Sequence, residues 1–160
     1  MPMYHKILVP LDGSELAEKA LPHALMLADK GEGQLILVRA VPLPDYLVTG
    51  AEVPLHGPLD DETQRVWRGQ AERYLEEVRA RPELVGRLAG TRVVIGNAAD
   101  EILDYALECG ADLIVVCSHG RTGLRRFLLG SVAEKLVRHS PCPVMVVAAE
   151  HDARKEATHV

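Results

Sequence analysis

A chain of 160 residues with 48% hydrophobic side chains suffices for one core, and one domain is expected at that length. Aromatic residues make up only 4%, so the core has to be built from Val, Leu, Ile and Ala. A formal net charge of −5 argues against a general nucleic-acid binder, which carries a basic footprint. No apolar run approaches the ~20 residues that span a bilayer, so no membrane partner is expected. The start, M-P-M-Y-H-K, leads straight into a strand and lacks the shape of a signal peptide. Three cysteines, Cys109, Cys117 and Cys142, show no CxxC spacing, and the seven histidines include no HExxH. Reduced thiols in a cytoplasmic protein, without a metal site, are the expectation.

Lys6 to Leu11, K-I-L-V-P-L, is an apolar run without polar alternation, as in a strand buried on both faces. Asp12-Gly13-Ser14 is a turn, with Ser14 placed to cap the next helix. Leu16, Ala17, Ala20, Leu21, Ala24, Leu25 and Ala28 recur at helical spacing, and Pro22 is expected to kink that helix. Leu35 to Val41 is the second buried strand. Residues 42–58 hold four prolines and two glycines and form a long loop. Such a loop is a surface insertion or a lid over a pocket.

Asp60 to Arg79 is the second helix, with Trp67, Ala71, Tyr74, Leu75 and Val78 as its apolar face. Gly86 to Gly90 reads as a loop and Thr91 to Ile95 as the third strand. Asn97 or a neighbour caps a third helix with the face Ala98, Ile102, Leu103, Ala106 and Leu107, ended by Gly110. Ala111 to Cys117 is the fourth strand. Ser131 to His139 is the fourth helix, with S-V-A-E as a capping box from Ser131 to Glu134. Val144 to Ala148 is the fifth strand, and residues 150–160 form a polar tail. Alternating buried strands and amphipathic helices predict an α/β fold, a doubly wound parallel sheet with helices on both faces. Ligands of such sheets sit at the carboxyl ends of the strands, where strand order reverses.

Two strand ends carry candidate chemistry. If the first and fourth strands are neighbours, Pro10 to Ser14 and Val116 to Gly120 meet at one crevice. Asp12 then either meets an adenine amino group or a ribose hydroxyl, or only bonds its own turn. Gly120, nine residues, then Gly130-Ser131 is either a phosphate cradle at a helix N-terminus or an ordinary loop and cap. Arg121, Arg125 and Arg126 keep a small anionic ligand open. Walker, GxGxxG and GxSxG motifs are absent, and the third strand ends V-V-I-G-N without the acidic residue of a phospho-receiver. Ser118 and His119 are adjacent, so their side chains diverge and a catalytic dyad is not expected.

K-I-L-V-P-L-D-G-S at the start and S-H-G-R-T-G-L-R-R-F-L-L-G-S-V-A-E-K-L-V-R-H-S-P-C-P-V-M-V-V at the end resemble the universal stress protein family. The resemblance covers roughly residues 3–148 and implies a domain over 1–149 with the tail 150–160 outside it. It implies an adenine nucleotide alpha-hydrolase-like fold, a five-stranded sheet in the order 3-2-1-4-5, and a homodimer paired through Val144 to Ala148. One branch of the family binds ATP through G-x-x-G, nine residues, G-[S/T]; another lacks the motif and binds none. Carried over by position, Gly120, Gly130, Ser131 and Val132 hold the phosphates, and Pro10, Asp12, Ala40 and Val116 surround the nucleoside. Cys117 stands where the motif has its first glycine. A thiol there costs affinity if the backbone must have positive φ or a phosphate passes close, and is tolerated if the glycine only leaves room. The implied function is an ATP-binding regulatory dimer in the stress response, taking ATP or another adenine nucleotide, with or without Mg2+, and acting on a protein partner. The alternatives are an ATP-independent interaction module and a slow ATPase; no catalytic residue is assigned.

Overall fold

The computed structural model describes residues 4–42, 61–118 and 129–148. The rest of the 42–58 loop, Asp60, His119, Gly120, Arg121, Arg125, Arg126 and the 150–160 tail lie outside the described residues. In chain order the elements are β1 (Lys6–Pro10), α1 (Glu15–Glu18), α2 (Ala20–Gly31), β2 (Gln34–Val41), α3 (Asp61–Arg79), β3 (Leu88–Ile95), α4 (Ala98–Cys109), β4 (Leu113–Ser118), α5 (Ser131–His139) and β5 (Val144–Ala148). All strand pairs are parallel, in the order β3-β2-β1-β4-β5. The order expected from the resemblance is the observed one. Strand order reverses between β1 and β4, which opens the crevice that such sheets use for ligands.

The two faces of the sheet follow from the period of two along each strand. Ile7, Val9, Leu35, Leu37, Leu113 and Val115 pack against Ala20, Leu21 and Ala24 of α2 and Leu75 and Val78 of α3. Leu8, Ile36, Val38, Ile114 and Val116 pack against Ile102 and Ala106 of α4 and Ala133 and Leu136 of α5. Burial of each such side chain contributes about 1.5–3 kcal/mol, which is why unbroken apolar runs mark these strands. At the amino end of the sheet the backbones come together. A Cβ on buried Gly33 would collide with the Tyr4 carbonyl oxygen. Gly33→Ala is therefore expected to destabilise the fold by about 1–3 kcal/mol, read as a lower urea midpoint at unchanged slope.

Five local expectations are corrected. The first helix is two pieces, and the break falls at Lys19, whose amide bonds Leu16 at 3.2 Å, rather than at Pro22. Proline lacks the donor for the carbonyl four residues earlier and its ring crowds it, so the damage appears one turn upstream, beyond Glu18. β3 starts at Leu88 rather than Thr91, and the register shifts so that Leu35 pairs Leu88 but Ile36 pairs Gly90. Gly90 thus marks an irregularity inside a strand, not a loop. A short 3-10 turn, Pro82–Leu84, leads into it. Leu107 is 71% exposed, and Ala99 takes its place on the buried face of α4. Trp67 is 36% exposed and stands outside the α3 core stripe of Ala71, Leu75 and Val78.

The fifth correction concerns α5. Its N-cap is Gly130, without a side-chain cap bond, and Ser131 is the first helical residue. The amide of Glu134 bonds the Gly130 carbonyl at 2.9 Å, while the Glu134 carboxylate pairs with Arg138 at 2.9 Å. The S-x-x-E pattern is therefore one residue out of register for a capping box.

Candidate functional site

β1 ends at Pro10, which has no amide to extend the ladder. The Leu11 amide makes the last bond, to the Val38 carbonyl at 2.8 Å. The chain then turns. Asp12 Oδ1 accepts from the Ser14 amide at 2.8 Å and from the Ser14 hydroxyl at 2.6 Å. Ser14 Oγ accepts in turn from the Ala17 amide at 3.1 Å and caps α1. Gly13 sits at φ 88, a region that favours glycine. Asp12 does bond its own turn, and that bond fixes its carboxylate beside the strand ends.

Beyond this turn β2 runs on past the end of β1. Backbone groups of a strand point alternately to its two neighbours. The Val38 carbonyl points to β1, and the Val41 carbonyl accepts from Gly96 on the β3 side at 3.0 Å. The amide and carbonyl of Ala40 therefore point toward β1, into the gap where β1 has turned away. The far side of that gap is β4. Val116 turns its side chain to the α4 and α5 face, and Cys117 turns to the α1 face.

Cys117 is 2% exposed and paired with Val147 in the β4–β5 ladder. Glu32 is the one non-glycine residue with positive φ among those described, so Cys117 has ordinary strand geometry. Nothing in the backbone there demands a glycine; the thiol contributes to the wall of the gap. Burial pushes the Cys117 thiol up from its ordinary value, Asp12 adds to this, and Lys19 opposes it. It stays a neutral, weakly nucleophilic thiol.

The third wall is the start of α5. Gly130 has φ −59 and ψ 154, and Ser131 and Val132 follow in the first turn. The amides of a first helical turn have no partner inside the helix and carry its positive end. Lys135 of α5 holds Asp100 of α4 at 2.6 Å, which ties the two helices together beside the opening.

These elements enclose a cleft of about 410 Å³. Of the sequence-derived candidates, Pro10, Asp12, Ala40, Val116, Cys117, Gly130, Ser131 and Val132 all line it; Gly120 lies outside the described residues. The expectation did not include Leu11, Ala17, Ala98, Ile102 and Ala133, which also line it. Ala17, Ala98 and Ala133 are small residues in or next to helix first turns, and that placement was a signal available in the sequence. The lining is mostly apolar, with Asp12 as its charged side chain, two main-chain groups at Ala40, and a helix end. Such a cleft suits a flat heterocycle joined to an anion. Among the described residues no group of three His, Cys, Asp or Glu is placed to hold a metal.

Four groups hold their protons more tightly in the folded chain: burial is the first cause of the raised values of Cys109, Cys117, Tyr74 and Tyr105. The unfolded chain loses these protons first, so their contribution is complete below the ordinary cysteine value of 9.0 and falls above it, with the tyrosines adding beyond 10.0. The melting temperature should therefore drop from pH 8 to pH 10.5. A flat profile would contradict the burial of these groups.

The Universal stress protein family model matches residues 3–148. The universal stress protein YxiE of Bacillus subtilis is 36% identical over 149 residues, covering 91% of this chain and 99% of that one. The universal stress protein MJ0531 of Methanocaldococcus jannaschii is 32% identical over 145 residues, covering 91% and 82%. The solved structure of MJ0577, from the same organism, superimposes with a TM-score of 0.75 at 31% identity, covering 94% of this chain and 99% of that one.

Proposed function

The chain belongs to the universal stress protein family, and from that premise we propose that it is an adenine-nucleotide-binding regulatory protein of the stress response. The observation that carries the reading is the convergence of three features on one cleft: the Asp12 turn, the Ala40 main chain and the start of α5. The base lies on the apolar wall of Val116, Ile102 and Ala98, with its polar edge at the Ala40 amide and carbonyl. Asp12 accepts from the ribose hydroxyls. The amides of Ser131 and Val132, with the Ser131 hydroxyl, take the phosphates, and Gly130 leaves room for them; Gly120 joins them by position in the motif. Mg2+, where it accompanies ATP, is held mainly through the phosphates. Solved structures of the same fold include a universal stress protein in complex with cAMP and an AMP-bound protein from Arabidopsis thaliana, at 23% and 19% identity. At those identities the likeness is one of fold, and the ligand reading rests on the cleft.

We further propose a cytoplasmic homodimer paired through β5, an edge strand on which Val144, Met145 and Val146 are only partly buried. Nucleotide binding, where two states of the protein differ in affinity for it, would shift between them the surface shown to a protein partner. The thiol at the motif's first glycine favours a second reading, an ATP-independent dimeric module. Mass spectrometry of nucleotides released from the purified protein, with titration calorimetry of ATP, AMP and cAMP in Mg2+, separates the two. Co-purified nucleotide or micromolar binding supports the first. No released nucleotide and no heat at millimolar ligand leaves the second.

A further inference from the structure

On the face of β2 opposite the Ala40 neighbour Val38 lies a stacked group that the ligand reading does not use. Arg39 leaves the strand toward α1 and α3. Its guanidinium carbon is 4.8 Å from the centroid of the Tyr74 ring. A Cβ on Gly13 would come within 3.1 Å of Arg39 Nη2, so the same guanidinium also packs on the Gly13 main chain. The ring is held from its other end: the Tyr74 hydroxyl donates to Glu18 Oε1 at 2.8 Å. Arg81 Nη2 holds Glu18 Oε2 at 2.8 Å. α1, α3 and the segment after α3 thereby fix the ring, the ring fixes the cation, and the cation backs the turn that carries Asp12.

We propose that Arg39 is a positioning residue for nucleoside recognition, acting through Gly13 on the aim of the Asp12 carboxylate. This rests on the nucleotide reading of the cleft. The role needs a planar cation that can stack and press on a main chain at once. A lysine ammonium has the charge but not the plane. The phosphate end at α5 is on the other side of the cleft and is untouched by Arg39.

The test uses Arg39→Met and Arg39→Lys in the full chain, with melting temperatures to confirm folding. Both variants should speed amide hydrogen exchange at Ser14, whose amide is bonded to Asp12 Oδ1. Both should weaken ATP and adenosine by the same factor, about three- to tenfold. Inorganic tripolyphosphate should bind as to the wild type. A purely structural loss would weaken all three ligands together, and that result overturns the proposal. Wild-type affinity in Arg39→Lys also overturns it, since charge alone would then suffice. If the wild type itself binds no nucleotide, the reading of the cleft fails and this role goes with it. With wild-type binding intact, unchanged Ser14 exchange in Arg39→Met sinks the Arg39 role alone.

Discussion

Gly130→Val should weaken ATP binding by about a hundredfold or more while the fold survives. The expectation separates backbone from space. Gly130 has φ −59 and ψ 154, which valine adopts without strain, so the substitution leaves the N-cap geometry alone. What changes is the room in the cleft, where a branched side chain would stand in front of the first-turn amides of α5. A hydrogen bond to a charged group is worth about 1.5–3 kcal/mol net, and losing two at the lower value is already more than a hundredfold. Calorimetry with ATP reads the loss, and far-ultraviolet circular dichroism reads the fold. Near-wild-type affinity would remove the phosphates from the α5 terminus. An unfolded variant would make Gly130 structural, and Ser131→Ala, a smaller change at the next residue, would then carry the comparison.

Leu136→Ala should cost about 3 kcal/mol, or a drop of about 6–12 °C in melting temperature for a chain of this size. α5 spans nine residues, too few to persist as a helix by itself. It is held by the buried side chains of Ala133 and Leu136 against Leu8, Ile114 and Val116. Leu136 is 0% exposed, so its truncation leaves a hole that this helix can fill only by shifting. A shift moves the first-turn amides, so nucleotide affinity should fall with stability. Val137→Ala is the control: Val137 is 47% exposed on the same helix, and its loss should stay within about 0.5 kcal/mol. A loss below 1 kcal/mol in Leu136→Ala would mean that α5 is anchored elsewhere.

The central strands were legible because burial on both faces leaves an unbroken apolar run, as in Leu35 to Val38 and Leu113 to Cys117. Their order in the sheet was not, since periodicity says nothing of neighbours; it came from the resemblance. Leu88 to Gly90 was missed because an alanine and a glycine look like a loop until the partner strand supplies the ladder. S-V-A-E misled because the pattern is the same whether Ser131 caps the helix or begins it. Pro10, Asp12, Val116, Cys117, Gly130 and Ser131 meet at the cleft from strand-end turns and a glycine-bearing helix start that are visible in one dimension, whereas Ala40 and Val132 came from the resemblance. Ala17 and Ala98 carried only the weaker signal of small residues at helix starts, and helix packing brings them to one cleft from opposite faces of the sheet. The Arg39–Tyr74 stack depends on which way α3 is rotated about its axis, and no local pattern records that.

The extra length of β2 beyond β1 has a consequence for how this cleft can diverge. The donor and acceptor offered at Ala40 belong to the main chain, so every residue but proline placed at position 40 presents the same pair. Substitution there can make the cleft shallower or deeper without rewriting the pattern that a base must match. To read a different edge, the chain has to change where β1 stops. On the proposed nucleotide reading, selectivity for the base would be held in a strand length, out of reach of most single mutations, while affinity would stay open to tuning through the side chains around it.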